Sequence, residues 1–129
     1  SYALLMANVL LINGLPDAKA DTTVGKRTLV VRLGAARVPA VYAALALLAH
    51  AWALGSVGRY FQQLGVDRES GLGLWLVPQL SLLLSLGAYI SLRRVRLQVR
   101  ALRPAITLSI AAALAHGWLL ALVLYFGAL

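Results

Sequence analysis

The chain has 129 residues, 61% hydrophobic and only 12% charged, with a mean hydropathy of +0.83. A soluble domain carries about a quarter of its residues as charges, so lipid is the indicated solvent. Twelve Lys/Arg against four Asp/Glu leave a net charge of +8, but the basic residues sit in short loops between apolar runs, which signals membrane topology and not a nucleic-acid surface. The absence of cysteine excludes disulfides, thiolate metal sites and a Cys nucleophile.

Residues 1–12 form the first apolar run, which has no positive n-region of a signal peptide and holds the single methionine, Met6. The run stops at Asn13-Gly14-Leu15-Pro16. Twelve helical residues reach only ~18 Å, too little for a hydrocarbon core of ~30 Å. Residues 1–13 are therefore expected to be the end of a transmembrane helix whose beginning lies upstream. The chain as a whole is then expected to be the C-terminal part of a longer protein.

Residues 14–37 form a polar loop, and three spanning runs follow at 38–58, 71–92 and 105–129, none containing Asp, Glu, Lys or Arg. Their Leu/Ala content suits helices, which satisfy their own backbone where water is absent. The fold class expected is all-α: a multi-pass transmembrane helical bundle of about three full crossings plus the end of a fourth. Pro39 and Pro104 stand near the first turns of their helices, where a missing N–H costs little, and Pro78 is expected to kink the middle run.

Lys and Arg alternate in number between the loops. Five (Lys19, Lys26, Arg27, Arg32, Arg37) precede the first span and two (Arg59, Arg68, balanced by Asp67 and Glu69) follow it. Five more (Arg93, Arg94, Arg96, Arg100, Arg103) precede the last. The positive-inside rule puts the first and third of these loops in the cytoplasm. Tyr60, Phe61 and Trp75 are expected at the outer interface, with Tyr125 and Phe126 near the outer end of the last helix.

Within the spans, His50 and His116 read as neutral imidazoles hydrogen-bonded to neighbouring helices, not as catalysts, and Ser81 and Ser85 as interhelical donors. Ala49 with Ala53, and Ala111 with Ala115, fit close helix contacts. Trp52 and Trp118 are expected to pack in the bundle or face lipid. The arginine-rich third loop suits anionic lipid head groups better than a substrate diphosphate.

Chemistry concentrates in residues 13–34, NGLPDAKADTTVGKRTLVVRLG. Asp17 and Asp21 are four apart, a spacing that stacks both carboxylates on one helical face, after a break expected near Gly14 with Pro16 opening the new helix. Two carboxylates at a membrane edge repel each other and are costly to desolvate; a divalent cation relieves both. Mg²⁺ takes oxygen ligands, often one or two carboxylates plus substrate phosphates, and Lys26, Arg27 and Arg32 supply cations suited to phosphate oxygens. Taken singly, an acid pair spaced this way is more often a solvated face, and these cations are more often topology signals.

Together, Asn13, Asp17, Asp21 and the run Gly25-Lys26-Arg27-Thr28-Leu29-Val30-Val31-Arg32-Leu33-Gly34 resemble the second aspartate-rich motif of the UbiA prenyltransferase superfamily, most closely its menaquinone-pathway branch. The resemblance implies membership of a nine-helix bundle around a cavity open to a bacterial or archaeal cell membrane. It implies Mg²⁺-dependent transfer of a polyprenyl group from a polyprenyl diphosphate to an aromatic acceptor such as a 1,4-dihydroxy-2-naphthoate. Asp17 and Asp21 would be Mg²⁺ ligands, Asn13 would help order the site, and Lys26, Arg27 and Arg32 would hold the diphosphate. Two departures stand out. Gly14 occupies a position where many relatives have an acid, and the first aspartate-rich motif (N/D-D-x-x-D-x-x-x-D) is nowhere in the chain. Asp67 and Glu69 fall in the outer loop, on the wrong side to replace it. The chain alone is thus expected to be inactive; the alternative is a noncatalytic helical membrane protein derived from a truncated prenyltransferase.

Overall fold

A computed structural model describes residues 1–65, 73–94 and 99–127, the last group with residues 99 and 100 by backbone alone. Asp67, Arg68 and Glu69 of the second loop, Arg96 of the third, and the ends 71–72 and 128–129 of two expected spans lie outside the described residues. Every regular element described is helical. In chain order they are α1 (Tyr2–Asn13), α2 (Ala18–Thr23), α3 (Leu29–Leu33), α4 (Val38–Gln63), α5 (Gly73–Arg94) and α6 (Arg103–Phe126). The helices α4, α5 and α6 are long and apolar enough to cross a membrane, α4 as part of the continuous stretch Ala35–Gln63.

Proline marks two of the helix starts as expected, Pro39 and Pro104 each lying in the first turn of its helix. Pro78 tightens α5 into a 3₁₀ turn over Val77–Leu80, and the helix resumes at Ser81. One boundary differs from expectation. The first span does not stop before Arg59 but runs on to Gln63. The extra turn buries Phe61 with Val57, Trp75 and Val123, and this apolar gain outweighs the polar Arg59 and Gln62 exposed on the same turn. Trp75 belongs to this cluster and is buried against the neighbouring helices.

α1 packs on both α4 and α6, α5 packs on α6 and α4, and the four helices close into a bundle. Small residues line the contacts: Ala46, Ala49 and Ala53 of α4, Ala88 of α5, and Ala105, Ala112 and Ala113 of α6 are buried. Large apolar side chains point outward instead, among them Leu10, Leu47, Trp52, Leu83 and Trp118. An inside of small residues and an outside of leucine and tryptophan is the distribution expected where the surroundings are lipid.

Polar groups tie the helices at mid-depth. His116 of α6 meets Ser81 of α5 through Nδ1 (3.1 Å) and Ser1 through Nε2 (3.0 Å). His50 of α4 meets Gln79 Oε1 through Nδ1 (3.1 Å), and the two imidazoles stand edge to face with centroids 5.1 Å apart. Nearer the start of α4, Asn8 of α1 donates its side-chain N–H to the Tyr42 carbonyl at 3.0 Å. Ser81 donates to the Pro78 carbonyl at 2.8 Å, so its oxygen accepts from His116. His116 then carries its proton on Nδ1 and accepts at Nε2 from the Ser1 hydroxyl. The histidines are thus interhelical ties, and Ser81 acts as a partner. Ser85 of α5 is buried beside Tyr42 of α4.

Candidate functional site

The loop at residues 14–37 folds into two short helices, and its geometry follows from its punctuation. α1 ends at Asn13 because a turn over residues 14–17 interrupts it, with Gly14 N–H still bonded to the Leu10 carbonyl at 3.1 Å. Pro16 sits inside this turn, so α2 opens at Ala18, two residues later than expected, and carries only Asp21, with Asp17 as its N-cap. A Cβ on Gly14 would come within 3.0 Å of Val30 Cγ2, and Val30 is buried. The place of the missing acid is therefore filled by the second half of the motif folding back over the first.

The same logic explains why glycine and lysine follow Asp21 at fixed distance. α2 ends in a Schellman motif: Lys26 N–H bonds the Asp21 carbonyl (2.8 Å) and Gly25 N–H bonds the Thr22 carbonyl (3.2 Å), with Gly25 at φ +74°. This reversal turns Lys26 back toward α2, where its Nζ lies 3.2 Å from Asp21 Oδ1. Thr28 then caps α3, its hydroxyl accepting from Val31 N–H at 3.4 Å.

The structure brings together only part of the predicted set. Asp17 and Asp21 lie one helical turn apart, the Asp21 N–H bonded to the Asp17 carbonyl at 2.8 Å. Asp17 is exposed, whereas the Asp21 side chain is only 13% exposed and is held by Lys26. Asn13 is exposed at the end of α1, Arg27 is exposed beside Lys26, and Arg32 is exposed on α3. Among the described residues none of these three forms a side-chain hydrogen bond or ion pair with either carboxylate. No group of three or more His, Cys, Asp or Glu side chains suited to a metal occurs among the described residues.

The position of the loop is set by the bundle. Leu15, Ala35, Ala36, Pro39, Leu92, Arg93 and Leu102 line one cavity of about 280 Å³, so the ends of α1 and α5 and the starts of α4 and α6 meet there. The first and third basic loops thus share one end of the molecule. At that end the chain presents Asp17, Asp21 and Lys26 together with exposed Lys19, Arg27, Arg32, Arg37, Arg93, Arg94 and Arg103.

Sequence reading missed the amides. Asn8 and Gln79 gave no motif, yet each is committed to an interhelical contact. The available signal was a carboxamide within an apolar helical run, which has to find a partner in lipid.

No family model matches the chain, and neither do curated proteins or solved structures. The likeness to the UbiA motif therefore stands on residues 13–34 alone.

Proposed function

We propose that this chain is the C-terminal part of a multi-pass membrane prenyltransferase. Its partner segment would supply the first aspartate-rich motif, and the reaction would move a polyprenyl group from its diphosphate to an aromatic acceptor of the dihydroxynaphthoate kind. The observation that carries this reading is the fold of the Asp17–Lys26 segment. Two aspartates stand one helical turn apart, with a lysine returned to Asp21 by the turn at Gly25, at the cationic end of a helical bundle. The donors present are all oxygens, which fits a hard cation such as Mg²⁺, with Asp17 and Asp21 as its holders. When bound, Mg²⁺ supplies charge stabilisation for the departing pyrophosphate. The protein's own part is to hold Asp21 in one orientation through Lys26, to present Asp17 to solvent, and to set Lys26, Arg27 and Arg32 around the phosphate oxygens. Asn13 closes α1 against the segment and orders its entry. In this arrangement the loop is cytoplasmic.

The test is prenyl transfer by the complete enzyme in membranes with Mg²⁺, a polyprenyl diphosphate and 1,4-dihydroxy-2-naphthoate. Asp17→Asn and Asp21→Asn should each lower turnover by at least about a hundredfold, the loss reached when a metal site is disturbed, with helical content unchanged. Near-normal Mg²⁺-dependent turnover by both variants overturns the assignment.

A second reading has its own observation. Asp21 is already neutralised by Lys26, and among the described residues α1, α4, α5 and α6 pack on one another. On this reading the chain is a noncatalytic membrane protein that retains the motif as structure. Full stability and membrane insertion of the chain alone, with no pyrophosphate-dependent Mg²⁺ binding, favours it.

A further inference from the structure

Two cavities lie end to end in the groove between α4 and α5. The first, at the basic end, is floored by Leu15, Ala35, Pro39, Leu92 and Leu102, with Arg93 on its wall and a volume of about 280 Å³. The second, about 310 Å³, is lined by Ala43 and Leu47 of α4 and by Leu82, Leu86 and Tyr89 of α5, with Tyr42 at its base. Successive lining residues follow helical spacing down both walls: Pro39, Ala43 and Leu47 on one, and Arg93, Tyr89, Leu86 and Leu82 on the other. The two cavities thus follow one another along the same faces of α4 and α5.

Arg93 stands at the junction. Its Nη1 donates to the Tyr89 hydroxyl at 3.2 Å, and its guanidinium carbon lies 6.0 Å from the centroid of the same ring. Tyr89 lines the apolar cavity and Arg93 the one above it, so this contact fixes the charge directly over the mouth of the apolar part. A guanidinium has five N–H donors, and the Tyr89 hydroxyl takes only one. Those left are in fork geometry, the geometry that suits a phosphate.

Length and charge together select the occupant. From Leu82 to Arg93 the α5 wall runs ~16 Å, about half of a ~30 Å hydrocarbon core and so one leaflet deep. The open end carries exposed Arg37, Arg94 and Arg103 besides Arg93. By the positive-inside rule that end faces the leaflet in which anionic lipids concentrate.

We propose that the α4–α5 groove is a binding site for one anionic phospholipid of the membrane, its phosphate on Arg93 and one acyl chain lying along Ala43, Leu47, Leu82 and Leu86. The site requires the bundle to be embedded in a membrane but is independent of prenyl transfer. It involves neither Asp17 nor Asp21.

The test reconstitutes the protein in phosphatidylcholine vesicles containing a small fraction of phosphatidylglycerol with a photoactivatable acyl chain, and maps the crosslinks by mass spectrometry. Label should concentrate on peptides containing Leu47, Leu82 and Leu86, and unlabelled phosphatidylglycerol should displace it. Arg93→Ala should lower labelling about threefold to tenfold, the loss expected for one charge-assisted contact at an interface. Ala43→Phe, which fills the apolar half and leaves the charge in place, should do the same. Equal labelling by phosphatidylcholine carrying the same chain overturns the proposal, as does an even spread over outward residues such as Leu83 and Trp118. Displacement by a polyprenyl diphosphate at far lower mole fraction than phosphatidylglycerol also overturns it, reassigning the groove to that compound.

Discussion

Two polar regions of this molecule are built on opposite terms. At mid-depth, His50, His116, Gln79 and Ser81 are drawn into hydrogen bonds between helices, as is Asn8 nearer the start of α4, and His116 is fully buried. At the basic end, Asp17, Lys19, Arg27 and Arg32 stand in the open, and Asp21 alone is partly covered, by a lysine five residues away. The first region is buried and bonded between helices, although Asn8 Oδ1, His50 Nε2 and Gln79 Nε2 stay without a hydrogen-bond partner among the described residues. The second leaves most of its groups open to solvent. Burial and helix-to-helix bonding go together in the first region, and exposure with a local ion pair in the second.

That contrast is open to direct attack. The largest effect should come from His116→Ala, which empties a filled position and strips partners from Ser81 and Ser1. Unfolding in mixed detergent should show a loss of about 3 kcal/mol. Gly25→Ala should have an intermediate effect. An L side chain at φ +74° costs about 1–2 kcal/mol, and the reversal that returns Lys26 to Asp21 should loosen. Lys26 should then become more reactive to amine-modifying reagents than in the parent protein. The smallest effect belongs to Asp17→Asn, an exposed N-cap whose side chain makes no capping bond. Its unfolding free energy should stay within about 0.5 kcal/mol of the parent. A loss comparable to that of His116→Ala would mean the loop is structural, and would erase the distinction between the two regions.

The spans were legible because hydropathy and length act locally. The 38–58, 71–92 and 105–129 runs recur as α4, α5 and α6, and Pro39, Pro78 and Pro104 act where their missing N–H predicts. The end of α4 was misjudged because Arg59 looked like a boundary, whereas Phe61 had an apolar cluster to reach on two other helices. The break before Asp17 was legible from Gly14 and Pro16. The pairing of Lys26 with Asp21 was not, because it depends on the sense of one turn at Gly25. The partners of His50 and His116 were equally hidden. Each lies on another helix, and interhelical register is fixed by packing, not by any spacing along the chain.

α1 has one further consequence. Its N-cap Ser1 is bonded to the histidine halfway along α6, and its last residue meets the turn that leads into α2. Twelve residues of helix, ~18 Å, therefore separate an anchored midplane from the two aspartates. The histidine is a datum, and α1 is a ruler standing on it. Sliding α1 by one turn would move the acidic segment ~5.4 Å along the membrane normal, enough to draw its carboxylates out of reach of a head-group-level phosphate. The height of the loop is set by a bond made in the middle of the bundle.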